Sequence, residues 1–211
     1  PGPIAGRRLY RRRGPCRHGG RWEIVAGAVL TQNCAWCNVE RALANLYAVG
    51  VDSAAAVLAT PLPALQDLIR PAGFFQQKSA YLQTVAAFYL EHDGEYAAAC
   101  SPVALRRRRQ ELLALRGVGQ ETADSILLYA FGKPIFVIDA YTRRVSERHL
   151  EIDDATRMRY EDLQAQFMAA LPKDTRVYNE YHALLVQLCK DSCRKRGCGV
   201  QCAVLADGAW R

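Results

Sequence analysis

Apolar positions along the chain recur mainly at intervals of three and four, the period of an α-helix. "WEIVAGAVLTQ" (22–32) is an apolar stripe that ends in polar residues, and "NVERALANLYAVG" (38–50) is amphipathic with a glycine stop. Short helices are expected over 53–59 and 62–69, then a longer one over 77–94, "QKSAYLQTVAAFYLEHDG", closed by Gly94. "SPVALRRRRQELLAL" (101–115) opens on a Ser-Pro start signal and runs into a turn with two glycines. Past that turn Ala123, Ile126, Leu127 and Ala130 fall at i, i+3, i+4 and i+7, one buried helical face. "PIFVID" (134–139) is short and apolar and reads as an extended or buried loop, with two more helices near 157–171 and 174–188. There is no internal repeat, low-complexity linker or strand-rich region. The pattern predicts an all-α fold.

Composition narrows the partners. The 211 residues, half of them apolar, suffice for one large domain or two small ones. Lys and Arg outnumber the acids 28 to 21, a net charge of +7. Seven arginines precede Trp22 (Arg7, Arg8, Arg11, Arg12, Arg13, Arg17, Arg21) with no acid among them, which suits a phosphate or anionic-surface binder, or else a solvated tail. No apolar run reaches the roughly 18 residues of a spanning helix, and no signal-peptide pattern opens the chain. The chain starts on Pro1 and not on Met, which points to a trimmed or processed N-terminus. Of eight cysteines, four crowd a basic C-terminal segment, which favours a metal or cluster in a reducing cytosol over disulfides. The expectation is a soluble, cytoplasmic, nucleoid-associated monomer without membrane contact.

Chemistry concentrates at "RGVGQETAD" (116–124). Leu115-Arg116-Gly117-Val118-Gly119 between two helices reads as a helix–hairpin–helix. Glycines there let successive N–H groups converge at a helix N-terminus and hold a phosphate without reading sequence. Taken alone, the same residues also fit a plain tight turn. Twenty residues on, "FVIDAYTRR" (136–144) sets Asp139 after a buried apolar segment, at the start of a helix, where an aspartate also serves as an N-cap.

Together these stretches resemble the helix–hairpin–helix DNA glycosylases of the endonuclease III superfamily. "GAVLTQNCAW" (27–36), "GFFQQKSAYL" (73–82) and "NEYHALLVQL" (179–188) extend the resemblance over about residues 22–202, and "GVGQETAD" looks closest to a branch that includes bacterial 3-methyladenine glycosylases. The resemblance implies two helical domains flanking a DNA-binding cleft. Residues 20–132 would carry the wedge loop and hairpin, and 1–19 with 133–211 the cysteine cluster loop. It implies extrusion of a damaged base from double-stranded DNA, with Asp139 stabilising the oxocarbenium-like sugar and orienting the nucleophile. Relatives that also cut the strand carry a Schiff-base lysine two residues after the second hairpin glycine; here that place holds Glu121, which cannot form an imine. Water is then the expected nucleophile, with little or no β-elimination, although Lys133 is an amine that could supply weak lyase activity.

By the same resemblance Gln32 and Asn33 would wedge into the gap left by the extruded base. Trp36, Phe74 and Phe75 could stack on the base or belong to the core. Lys78, Arg116, Gly117, Gly119, Thr122 and Arg144 are the DNA-contact candidates, and the Arg106–Arg109 run is either a further phosphate site or a solvated face. "CKDSCRKRGCGVQC" spaces Cys189, Cys193, Cys198 and Cys202 as C-x3-C-x4-C-x3-C. The family's arrangement is C-x6-C-x2-C-x5-C around a [4Fe-4S] cluster. Cys193 fits its first cysteine and nothing fits its fourth, since Gly208 and Ala209 lie there; Cys189, one helical turn before Cys193, would close the cage. Zinc, or free thiols, are the other readings. Cys16, Cys34, Cys37 and Cys100 read as ordinary thiols. The functions in contention are a monofunctional base-excision glycosylase, a bifunctional glycosylase/lyase acting on oxidised pyrimidines, and a catalytically silent damage-binding module. Asp139 favours chemistry and Glu121 counts against the lyase; the lesion itself cannot be read.

Overall fold

A computed structural model describes residues 20–99, 101–198 and 202. The chain is all-α apart from one minimal hairpin among the described residues. Two compact units emerge, one ending at Lys133 and the other starting at Pro134. No described helix is long and apolar enough to cross a membrane. Arg7 to Arg17, Cys16, Cys100, Gly208 and Ala209 lie outside the described residues.

The first unit is built around α1 (Arg21–Leu30), whose Val25, Ala26, Val29 and Leu30 are buried. Arg21 does not extend a basic arm. Its guanidinium grips Asp93 through two bonds of 2.9 and 2.7 Å. In α2 (Trp36–Ala48) the buried Val39, Ala42, Leu43 and Leu46 keep the i, i+3, i+4, i+7 stripe read from the sequence. The short helices α3 (Ala54–Ala59), capped by the Ser53 hydroxyl, and α4 (Leu62–Leu68) lead through a 3-10 turn, Arg70–Ala72, into α5 (Phe75–Ala97). Gly94 does not close this helix, contrary to the sequence expectation. One turn of burial outweighs the glycine's helix penalty: Tyr96 is fully buried, edge-on to Phe88 and Phe131, with its hydroxyl 2.7 Å from the Glu111 carboxylate. In α6 (Pro102–Leu113) the Ser101 hydroxyl accepts from Ala104 N–H with proline in the first turn, as the start signal predicted.

After the glycine turn, α7 (Gln120–Ser125) passes directly into a π-helical segment, Ile126–Ala130. Ala123, Ile126, Leu127 and Ala130 are all buried, and so is Leu128, which the wider π turn brings inward.

The second unit begins with the apolar run 134–138, a buried loop and not a strand. Gln164 Nε2 donates to the Phe136 carbonyl, the Tyr160 hydroxyl receives the Ile138 N–H, and Phe136 stacks on Phe167 at 4.6 Å. Three helices follow, α8 (Ala140–His149), α9 (Tyr160–Ala170) and α10 (Thr175–Asp191), with α8 packed on α10. A two-residue hairpin, β1 (Cys193–Arg194) against β2 (Gly197–Cys198), follows α10 and pairs Cys193 with Cys198.

Candidate active site

In the first unit the hairpin is fixed by sterics at Gly117. Its φ is +85°, and a Cβ there would stand 2.2 Å from Cγ of Tyr81, so both conformation and space demand glycine. Val118 tucks inward, buried, while Arg116 stays exposed. Gly119 takes the N-cap position of α7 in an extended conformation, bringing no side chain into the space ahead of the helix. Glu121 is exposed in the first turn, where the helix dipole favours an anion.

A buried fork clamps α6 to α7. Arg109 Nε and Nη2 donate to the two oxygens of Asp124 at 2.7 and 3.1 Å, and the aspartate side chain is fully buried. Removing one partner strands a buried charge, so Asp124→Asn is expected to cost about 3–5 kcal/mol, measurable as a lowered denaturation midpoint. Half of the arginine run, Arg108 and Arg109, is therefore internal bracing. Arg107 pairs with Glu95 and Glu111, and the buried Arg108 donates to the Ala98 carbonyl at 3.1 Å; Arg106 is exposed.

Several DNA-contact candidates take other roles. Lys78 is 2% exposed, with its ammonium on the carbonyls of Leu30 (2.8 Å) and Ala72 (2.7 Å), and burial pulls its pKa down. It staples α1 to the turn before α5 and does not reach for phosphate. Thr122 is buried, and its hydroxyl accepts from Gln32 Nε2 at 3.1 Å; the same amide donates to the Gly117 carbonyl at 2.8 Å. Gln32 thus braces the hairpin, and Thr122 is the wall it braces. Lys133 is buried with its ammonium 2.5 Å from the Ala98 carbonyl, which removes it as a spare amine. Asn33 (φ +50°) is exposed, and Phe74 (φ +46°) is 64% exposed, so Phe74 is no pocket wall within its unit. Phe75 carries the Arg70 guanidinium 4.5 Å over its ring, and Trp36 is half-buried.

In the second unit Asp139 caps α8, its Oδ1 accepting the Thr142 N–H at 2.7 Å. Oδ2 faces His182 Nε2 on α10 at 3.5 Å. Burial pushes the carboxyl upward, but the His182 side chain and the Thr142 N–H outweigh it and hold Asp139 below the usual carboxylate range. His182 was not singled out from the sequence. It lies seven residues before Cys189, two helical turns, which puts it on the face that carries a candidate ligand.

The four C-terminal cysteines lie along α8, from Cys189, whose sulfur is 3.8 Å from the Tyr141 carbonyl near the helix start, to Cys198 and Cys202 at His149, its last residue. Cys189, Cys193 and Cys202 are buried and Cys198 is half-buried. Burial first, then the neighbouring thiols, push Cys189 and Cys198 up to about 11, so these sulfurs ionise only around a positive centre. Four such soft donors fit an iron–sulfur cluster. Arg144, expected on DNA, instead donates to the Cys193 carbonyl at 2.9 Å and lies over the Tyr141 ring. Arg148 holds the carbonyls of Arg194 (2.7 Å) and Lys195 (3.0 Å). Cys34 and Cys37 stand at the start of α2, half-buried and exposed.

The chain is thus all-helical over the described residues apart from one minimal hairpin, with a glycine turn at the start of α7 and a half-buried aspartate capping α8. A family model described as the HhH-GPD superfamily base excision DNA repair protein matches residues 26–173. The protein MJ1434 of Methanocaldococcus jannaschii, whose name assigns it provisionally to the DNA repair glycosylases, is 42% identical over 187 residues, 87% of this chain and 83% of its own length. A solved structure of a trapped endonuclease III–DNA covalent intermediate superposes with a TM-score of 0.74 at 20% identity, over 96% of this chain and 94% of that one. The 3-methyladenine DNA glycosylase of H. pylori, bound to 1,N6-ethenoadenine, superposes at 0.64 with 23% identity, over 82% and 90% of the two chains. The chain belongs to the HhH-GPD superfamily of base excision DNA repair proteins, and its fold is that of endonuclease III.

Proposed function

We propose that the protein is a monofunctional DNA N-glycosylase that extrudes a damaged base from duplex DNA and hydrolyses its glycosidic bond. The observation that carries the reading is Asp139, a carboxylate kept ionised at the start of a helix although its side chain is only 13% exposed. As the C1′–N bond breaks, its electron pair leaves with the base and positive charge grows on the sugar; a fixed carboxylate beside it lowers that barrier. Water then bonds to C1′, oriented by the same oxygens, and the proton it loses ends on the departed base, giving a C1′ hydroxyl and the free neutral base. The hairpin would grip the strand through backbone N–H groups about Gly119 and through the exposed Arg116. Asn33 and the protruding Phe74 would fill the vacated stack, apolar wedges being a common device for holding a duplex open.

Glu121 supports the monofunctional part of the reading, since it stands where strand-cutting relatives carry lysine, and Lys133 is buried on carbonyls. Cys189, Cys193, Cys198 and Cys202 would hold a [4Fe-4S] cluster, which when bound supplies the positive charge these thiolates need. Its protein-side effect is to fix the loop against α8 and so steady the helix that Asp139 caps.

A panel of lesion-bearing duplexes, incubated with and without alkali, tests the reading. Strand scission that needs alkali, with no adduct trapped by borohydride on abasic DNA, is the expected result. A strong covalent adduct would instead make the enzyme bifunctional, and no base release from any lesion would leave a damage-binding module.

A further inference from the structure

His149, the last residue of α8, was not among the expected cluster residues. It is 8% exposed, and its Nε2 lies 3.1 Å from Cys198 Sγ and 3.8 Å from Cys202 Sγ. These three donor atoms lie within 4.8 Å of one another. Cys193 interacts with Cys198, and Cys189 with Cys193, so the loop offers five donors in a connected row: four sulfurs and one nitrogen. A cube of four irons takes one outer ligand per iron, so one donor is surplus. The nitrogen is the odd member of a soft set, and it sits within hydrogen-bonding distance of a sulfur. With four thiols present for the irons, a nitrogen 3.1 Å from Cys198 Sγ is placed to donate to that sulfur. The preceding residue repeats the arrangement, since Arg148 Nη1 approaches Cys193 Sγ at 3.6 Å.

We propose that the Nε2–H of His149 donates a hydrogen bond to the Cys198 sulfur, with Cys202 as second acceptor, and so raises the reduction potential of the cluster. The inference rests on the [4Fe-4S] reading above. A donor on a cysteinyl sulfur stabilises the more negative, reduced cluster more than the oxidised one, which makes electron uptake easier. His149 is then a positioning and tuning residue at the cluster. It closes the helix that Asp139 opens, so one ten-residue helix joins the cluster to the carboxylate.

The test starts with anaerobic iron reconstitution of the full chain. Uptake of zinc in place of iron, or of no metal, overturns the cluster reading, and this inference with it. In iron-loaded protein, His149→Leu removes the donor at similar volume and His149→Gln keeps an N–H. The midpoint potential is expected to fall in the Leu variant and to recover at least in part in the Gln variant. Equal potentials in all three proteins would overturn the inference while leaving the cluster reading intact. Histidine 15N labelling of reduced wild-type protein, read by electron–nuclear double resonance, stands even if a variant fails to hold iron. Weak coupling through a hydrogen bond is expected; coupling of the size of a direct Fe–N bond, or none, would sink the proposal.

Discussion

Asp139→Asn is expected to lower base release by about 10²- to 10⁴-fold while leaving the thermal midpoint unchanged or slightly lowered. The two halves of this expectation come from different atoms. Catalysis needs the negative charge, and the amide has none. The fold needs a side-chain oxygen on the Thr142 N–H, 2.7 Å away, and asparagine caps helices about as well as aspartate. Burial opposes the ionisation of this carboxyl, but His182 and the Thr142 N–H outweigh it, so the charge is a net stabilising one and the neutral isostere gives up a little stability while keeping the cap. Asp139→Ala is the poorer probe because it also loses the cap, at about 1 kcal/mol. The pH profile follows from the same groups. A folded pKa held below the usual carboxylate range means the charge persists as pH falls through that range, whereas the stability linked to it is full only above that range and is lost as pH falls from there to the folded pKa. Excision by the wild-type protein should therefore stay level on the acid side down to the ordinary carboxylate range. If Asp139→Asn lost midpoint in step with activity, the residue would be structural and the glycosylase reading would lose its carrier.

The sequence showed what is periodic or local. Helix placement, the Ser101 cap, the glycine turn and the aspartate after an apolar run all declare themselves within a few residues, since each is set by neighbouring backbone. The purpose of the polar side chains did not, because it depends on partners far along the chain. Lys78 reads as a cation for phosphate until its carbonyl acceptors, 48 and 6 residues away, are known. The arginine run reads as a surface until Asp124 turns up beneath Arg109. Gln32 reads as a wedge, yet its amide closes on a carbonyl 85 residues on. Gly94 misled for a related reason: helix propensity is a local preference, and the burial of Tyr96 overrode it. The histidines show the reverse failure. His149 and His182 carry no motif, and only the packing of α8 on α10 and the cysteine loop gives them partners.

Gly117→Ala and Gly119→Ala should separate what the hairpin needs in order to fold from what it needs in order to bind. At Gly117 a methyl group meets the Tyr81 ring 2.2 Å away, and φ of +85° is closed to alanine. The left-handed backbone costs about 1–2 kcal/mol and the overpacking about 1–3 more. Against a total stability of roughly 5–15 kcal/mol, this is a large fraction, with a midpoint lowered on the order of 10 °C. At Gly119 nothing lies within 4 Å of the added carbon and φ is an ordinary −89°, so alanine should cost at most about 1 kcal/mol in the free protein. The proposed phosphate site lies ahead of that N-cap, however, and there a methyl group would hold the strand off the backbone donors. The expected outcome is a near-normal midpoint for Gly119→Ala with weakened binding to an abasic duplex and a shallower salt dependence, since fewer phosphates are engaged. Unaltered affinity and salt slope in a folded Gly119→Ala protein would mean that the bend shapes the helix pair without touching DNA. The grip would then have to come from side chains such as Arg116.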